Sequence, residues 1–444
     1  MQNIVSYFTK DDIFRKFLGG ASLIGGANLS AAVLGFIQSI IVVRYLGASG
    51  YGKLALTITY VVIVNSFLAL RVSEMLLKYA GEFWNKNQKE KLLVTVKLAY
   101  MIDFLTGVLA FIIIYLAACL IAEKMIHNPG LSSMIRLYSF VLLFSTVNNT
   151  SNALLRIFEK YFLLSSATVF TSIIKLLLVM IVFFLKIEPR IQAIILAYLI
   201  GSLFEGLIFL LLALKVLKPA IKEIGKVSLL STLEGKLKEM GQLLFHTNMT
   251  GYLRIFDNKV DMILIGYFVA PAGVGYYKLA KSLSSVFGLI SNPLYSAVYP
   301  LISKMCALKE KDNLIKFLKK CTIFIAIPLL TGVALILLFS PWIIMLFYGE
   351  EFLPSVTAVK IITCVTALSL IPFWLRPMTV CIGKAYIYNV VLSINALVLI
   401  VGGITFIPVY GITAAALIFL INRVLLVVIA GALLKYHFKQ LNWV

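Results

Sequence analysis

Residues 44–57 read RYLGASGYGKLALT. Glycine, four residues, then Gly-Lys is one position short of G-x-x-x-x-G-K-[ST], the loop whose backbone N–H groups cradle phosphates. The surroundings decide between that reading and another. Leu54 stands where the pattern needs a magnesium-binding Ser or Thr, and no strand precedes Gly47. What precedes it is an apolar run, residues 20–43, long enough to cross a bilayer as a helix. The glycines therefore read as a tight outer turn between two membrane spans, with Lys53 at the interface.

Working outward, such runs recur along the whole chain. Of its 444 residues, 61% are hydrophobic and only 13% charged, and the mean hydropathy is +0.99. Soluble domains are about half apolar and a quarter charged, so this is an integral membrane protein. Twelve spans are expected, at 20–43, 54–77, 96–121, 133–155, 162–185, 191–214, 241–268, 277–303, 321–347, 354–375, 386–408 and 411–434. Their connections are too short for a soluble catalytic domain. Residues 1–20 lack the pattern of a cleaved signal peptide. The five cysteines have no paired C-x-x-C spacing and read as free thiols. No metal cluster, nucleophile elbow or dinucleotide fingerprint is present, so no cofactor, metal or enzymatic activity is expected.

The net charge of +21 would suggest nucleic acid in a soluble protein. Here the basic residues sit mostly in the loops on one side of the membrane. The opposite loops carry only Arg44, Lys53, Lys124, Lys186 and Arg190. The positive-inside rule places both termini in the cytoplasm, with the basic loops facing anionic headgroups.

The chain also repeats itself. RYLGASGYGKLA has a counterpart in GYFVAPAGVGYYKLA; LLRIFEKYFLLS echoes WLRPMTVCIGKAYIYN; IEPRIQAIILAYLI echoes IPVYGITAAALIFLI. The offsets cluster near half the chain length, which implies a duplicated six-helix unit. Six is even, so both units enter the membrane the same way, as parallel repeats whose substrate sites fall between them near the midplane. The expected organisation is an N-terminal bundle over 1–214, a basic cytoplasmic linker over 215–240 and a C-terminal bundle over 241–444. Lys215, Lys218, Lys222 and Lys226 give the linker a helical spacing suited to the inner leaflet; a plain solvated connector fits equally.

These segments carry a family resemblance. RYLGASGYGKLAL, LRVSEMLLKYAGEF, LLRIFEKYFLL, DNKVDMILIGYFVAPAGVGYYKLAKSL and YPLISKM together resemble the Wzx-type polysaccharide flippases. These belong to the multidrug/oligosaccharidyl-lipid/polysaccharide exporter superfamily. The resemblance runs along almost the whole chain, in loose glycine-rich motifs. It implies two six-helix bundles around a central cavity, alternating access and action as a monomer. The implied cargo is an undecaprenyl-diphosphate-linked glycan moved from the inner to the outer leaflet of a bacterial cytoplasmic membrane. Partners implied are membrane lipids, a polymerase and other polysaccharide-assembly proteins.

Independently of that resemblance, several charges stand where lipid-facing helices do not tolerate them. A charge at a helix centre costs about 2.5–3.5 kcal/mol on insertion scales, so such residues normally face a bundle interior or a wet cavity. Lys175, Arg254 and Arg423 lie roughly 20 Å along their spans, with Asp103, Glu205 and Asp257 at similar depth and Arg71 with Glu74 nearer the cytoplasmic end. Thr247, Thr250, Arg254, Asp257 and Asp261 fall within about 80° of one helix face. One reading is a cationic cavity for a diphosphate and acidic sugars, built on Arg254, Lys175, Arg423 and Arg71, since arginine's fork suits phosphate oxygens. The other pairs each charge locally: Arg254 with Asp257, Arg71 with Glu74, Lys175 with Glu205. Asp257, Asp261, Asp103, Glu205 and Glu74 then either carry a coupling H⁺ or Na⁺ or neutralise the cations.

Three functions compete on this basis. A lipid-linked oligosaccharide flippase fits a cationic path. A cation-coupled small-molecule or multidrug exporter of the same superfamily fits the fold, but a cationic path suits lipophilic cations poorly. A membrane glycosyltransferase or polymerase is expected to carry a sizeable extracytoplasmic loop or an acidic motif at the membrane surface, and every outer loop here is short.

Overall fold

The computed structural model describes residues 12–220, 233, 235–308, 310–384 and 386–440. Every regular element among them is helical. Backbone groups within lipid must bond inside their own segment, and helices achieve that. Eight helical stretches among the described residues are long and apolar enough to cross a membrane, and the protein is a multi-pass membrane protein.

The chain opens with α1 (Asp12–Leu68), 57 residues in length. The expected outer loop over 44–53 is absent. Helix continues through it, and the only departure is Gly47, at φ 67° and ψ −179°. That left-handed backbone strains any residue with a Cβ, so one glycine converts a long rod into two segments. A second break, at residues 69–71, precedes α2 (Val72–Asn85). The expected second span 54–77 is therefore interrupted near its end. Along α2, Val72, Met75, Leu76, Tyr79, Ala80 and Phe83 are buried, the three-and-four spacing of a single helix face.

Next come α3 (Lys89–Leu120) and a short π-helical turn at Ile121–Met125. The expected fourth span, 133–155, is three pieces: α4 (Leu131–Ser139), α5 (Val141–Ser145) and α6 (Asn148–Ile157). Asn148, Asn149 and Asn152 all fall in the last piece. Then follow α7 (Tyr161–Phe184) and α8 (Arg190–Ala220).

The second half contains α9 (Leu237–Phe268), α10 (Pro271–Ala307) and α11 (Lys311–Tyr348). A 3-10 turn at Glu350–Ser355 leads into α12 (Val356–Leu370), followed by α13 (Leu375–Cys381) and α14 (Tyr386–Gln440). Helix α14 is broken only at Gly411. Neither α9 nor α10 is among the eight apolar stretches.

Two compact units emerge. Unit 1 comprises residues 1–42, 61–123 and 128–251; unit 2 comprises 43–60, 124–127 and 252–444. Unit 1 has its main core where α2 meets α3, α6 and α8, with Tyr79, Phe83, Leu92, Leu154 and Leu217 buried together. Unit 2 packs Ile302, Leu314, Leu318, Leu375 and Met378 into one cluster and Phe287, Ile325, Leu329 and Ala367 into another. Residues 221–232 and 234 of the linker lie outside the described residues.

Candidate functional site

Within unit 2, the glycine stretch serves as a joint. The Arg44 guanidinium donates to the Phe347 carbonyl at 2.7 Å and to the Leu346 carbonyl, covering the C-terminal carbonyls of α11, where a cation is favoured. The Ala48 amide donates to Glu351 Oε1 at 2.9 Å. An anion does meet the backbone of this stretch, and it is the protein's own carboxylate. A Cβ on Gly52 would overlap the Pro271 carbonyl oxygen, and one on Gly275 would lie 2.5 Å from the Ala48 carbonyl oxygen. The two repeat-related glycine motifs thus pack on each other reciprocally, which only small residues permit.

The same unit holds a buried charge network between α9 and α10. Asp261 is 2% exposed. Its Oδ2 accepts from Tyr277 Oη at 2.7 Å and from Lys281 Nζ at 2.7 Å, and its Oδ1 accepts from the Met262 amide at 2.8 Å. Lys281 Nζ lies 5.6 Å from the centre of the Phe419 ring, and the Arg423 guanidinium lies 4.9 Å from it. A ring face stabilises a cation brought close to it, so one aromatic serves two positive groups while one carboxylate neutralises Lys281.

Unit 1 holds three further sets. Lys175 of α7 reaches Glu205 of α8 at 2.6 Å, both side chains being less than a third exposed. Gly201 makes the room: a Cβ there would lie 2.7 Å from Lys175 Cγ. Arg71, at the start of α2, bonds Glu74 at 2.7 Å. Its Nε runs close beside Gly251, where a Cβ would lie 2.9 Å away. On α3, Asp103 is 6% exposed and accepts a 2.7 Å hydrogen bond from Thr150 of α6. Beside it, Tyr100 Oη and Ser151 Oγ are 2.9 Å apart.

Lys175–Glu205 and Arg71–Glu74 are therefore brought together, and Asp261 and Arg423 meet around Lys281 and Phe419. Arg254 and Asp257 lie on α9, but their side chains are outside the described part, as is that of Thr250. Lys281, Tyr277, Thr150 and Glu351 were missed by the sequence reading. Lys281 was findable, as a lysine inside an expected span. Glu351 was not, because its partner Ala48 is 303 residues away.

Residues 41–357 match the model of a family described as polysaccharide biosynthesis protein. Teichuronic acid biosynthesis protein TuaB of Bacillus subtilis strain 168 is 24% identical over 278 residues, 61% of this chain and 53% of that protein. The probable flippase AglR of Haloferax volcanii is 26% identical over 187 residues, 39% of this chain and 37% of that protein. The match thus spans about half the length of the first relative and less of the second. Among solved structures, an inward-facing multidrug resistance MATE family transporter of the MOP superfamily aligns with a TM-score of 0.73 at 13% identity. That alignment covers 93% of this chain and 96% of the other. Lipid II flippase MurJ, in an inward closed conformation, aligns at 0.71 and 18% identity, over 93% and 87%. The fold is that of these transporters.

Proposed function

We propose that this chain, which belongs to the polysaccharide biosynthesis protein family, is a flippase for undecaprenyl-diphosphate-linked oligosaccharides. It takes repeat units from the inner leaflet of a bacterial cytoplasmic membrane and delivers them to the outer leaflet by alternating access. It acts as a transporter without chemistry of its own, as a monomer beside the polymerase and other assembly proteins. Residues 1–214 and 241–444 form its two bundles, joined by the basic linker 215–240.

The observation that carries this reading is the set of cations inside membrane helices. Lys175 and Arg423 lie deep in apolar helices, and the sequence adds Arg254 on α9. Arg71 stands at the break before α2. Intramembrane charges mark substrate and ion paths, and a positive path favours a diphosphate over a lipophilic cation. The probable flippase among the relatives and the lipid II flippase sharing the fold support a flippase reading. The acidic residues then divide. Asp261, Glu205 and Glu74 each neutralise a bonded lysine or arginine, and Asp257 is assigned to Arg254. Asp103 has a hydroxyl donor and no bonded cation among the described residues. It is assigned as the carboxyl that carries the coupling H⁺ or Na⁺.

A second reading, a cation-coupled small-molecule exporter, rests on the likeness to a multidrug transporter. Replacing Arg254 with alanine separates the two. Glycan export by cells should be lost while the protein remains in the membrane, and export at the normal rate would remove Arg254 from the site.

A further inference from the structure

Away from the charged pairs, unit 1 carries a groove of about 800 Å³ between α1, α7 and α8, within the range of ligand sites. Gly26 and Ala27 of α1, Phe162, Ser165 and Phe170 of α7, and Leu212 of α8 line it. Leu164, Ala167 and Phe209 are buried beneath, in one cluster against which Ile24 and Leu212 pack. On the rim, Phe162 is 68% and Phe170 56% exposed, an exposure that in a bilayer faces lipid chains.

Two features set this groove apart from an ordinary lipid-facing seam. First, basic residues stand next to its lining in sequence. Lys160 immediately precedes α7, and Lys215 follows Leu212 by less than one turn of α8; both are exposed. Second, Ser165 is 7% exposed, yet its hydroxyl has no hydrogen-bond partner among the described residues. Serines in helices ordinarily bond the carbonyl four residues back, as Thr168 nearby does to Leu164 at 2.9 Å. A buried, unpaired hydroxyl is unfavourable and is suited to an acceptor on a bound molecule. Ser165 stands four residues into α7, roughly 6 Å of helix rise from the basic end.

We propose that the groove binds one anionic glycerophospholipid of the membrane. An acyl chain fills the apolar trough, the phosphate lies by Lys160 and Lys215, and an ester carbonyl accepts the Ser165 hydrogen. The order phosphate, glycerol, ester, hydrocarbon reproduces the order lysine, helix turn, serine, apolar trough. A polyprenyl phosphate offers only hydrocarbon at the depth of Ser165, so the observations favour the phospholipid over the lipid carrier of the cargo. The bound lipid ties the N-terminal part of α1 to α7 and α8, whatever the protein transports.

Native mass spectrometry of the purified full-length protein tests this, with phosphatidylglycerol, phosphatidylcholine or a polyprenyl phosphate added at equal concentration. Phosphatidylglycerol should be retained about tenfold or more over phosphatidylcholine, as two lysines near a phosphate imply. The double variant Lys160→Gln/Lys215→Gln should lose that preference. Ser165→Ala should retain phosphatidylglycerol severalfold less, while the melting temperature of the delipidated protein is unchanged or raised. Equal retention of the two phospholipids, displacement by polyprenyl phosphate, or an unaffected Ser165→Ala variant would each overturn the proposal.

Discussion

The Ala48 amide holds the Glu351 carboxylate at 2.9 Å, so the stretch whose sequence imitates a phosphate cradle is occupied by an acidic side chain of the same unit. Immediately beside it, Gly52 lies against Pro271 and Gly275 against Ala48. Gly52→Ala therefore sets a methyl group onto a backbone carbonyl that has no rotamer to move into. It should cost at least ~1–3 kcal/mol, the usual cost of overpacking. Gly81→Ala, on a face where an added Cβ meets nothing within 4 Å, should be neutral or stabilising by up to ~1 kcal/mol. Thermal melting of the detergent-solubilised variants measures both.

Lys175 and Glu205 form the closest ion pair of unit 1 among the described residues, at 2.6 Å. Removing either charge leaves the other partly buried and unpaired, at about 1–3 kcal/mol. The double variant Lys175→Met/Glu205→Gln should recover most of that stability. Glycan transport should not recover with it, because the proposed site has lost a cation. Recovery of transport together with stability would reduce the pair to a helix clamp.

Asp261 is more deeply committed. It is bonded to Lys281, Tyr277 and the Met262 amide, and Asp261→Ala removes the carboxylate that neutralises Lys281. A loss of about 3–5 kcal/mol is expected, relieved by Lys281→Met in the same chain. Membrane abundance and melting temperature are the readouts.

Asp103→Asn keeps the shape and the Thr150 hydrogen bond but removes the ionisable group. Along α3 and α6, the nearest basic residues are Lys97 and Arg156, each about 9 Å of helix rise away. The variant should reach the membrane in normal amount and fail to couple transport to an ion gradient in vesicles. Gradient-driven transport at the wild-type rate would assign coupling elsewhere.

Cys306 lies three residues beyond the expected end of its span. Burial and the adjoining Cys381 push its thiol up to about 12. The thiolate is the reactive form, so alkylation at pH 8 should be on the order of a hundredfold to a thousandfold slower than for an ordinary thiol. It should rise with pH towards 12, and denaturation should abolish the difference.

Much of this architecture was legible in the sequence, and what was hidden has identifiable causes. Apolar runs near 20 residues report helical spans because the bilayer imposes that length. The echo of GASGYGK in PAGVGYYK reads as a duplication, and in the structure the two motifs pack on each other. A single φ value at Gly47, however, turns an expected loop into a hinge within continuous helix. Polarity alone does not distinguish the two. Pairs close in sequence, such as Arg71–Glu74, could be read from spacing. Lys175–Glu205 was also named as a candidate pair, although it joins two helices. Asp261–Lys281 and Ala48–Glu351 depend on how helices stack, which one chain's residue order does not state. The apolar groove beside Ser165 left no pattern at all, since its signal is an unmade hydrogen bond.

The most direct test of the central claim is leaflet translocation in proteoliposomes. A fluorescent undecaprenyl-diphosphate oligosaccharide is placed in one leaflet, and its arrival in the other is followed by a membrane-impermeant quencher. Lipophilic cation uptake is measured in the same preparation. Wild-type protein should move the glycan lipid and leave the cation behind, and Arg254→Ala protein should move neither. Cation uptake without glycan translocation would contradict the account.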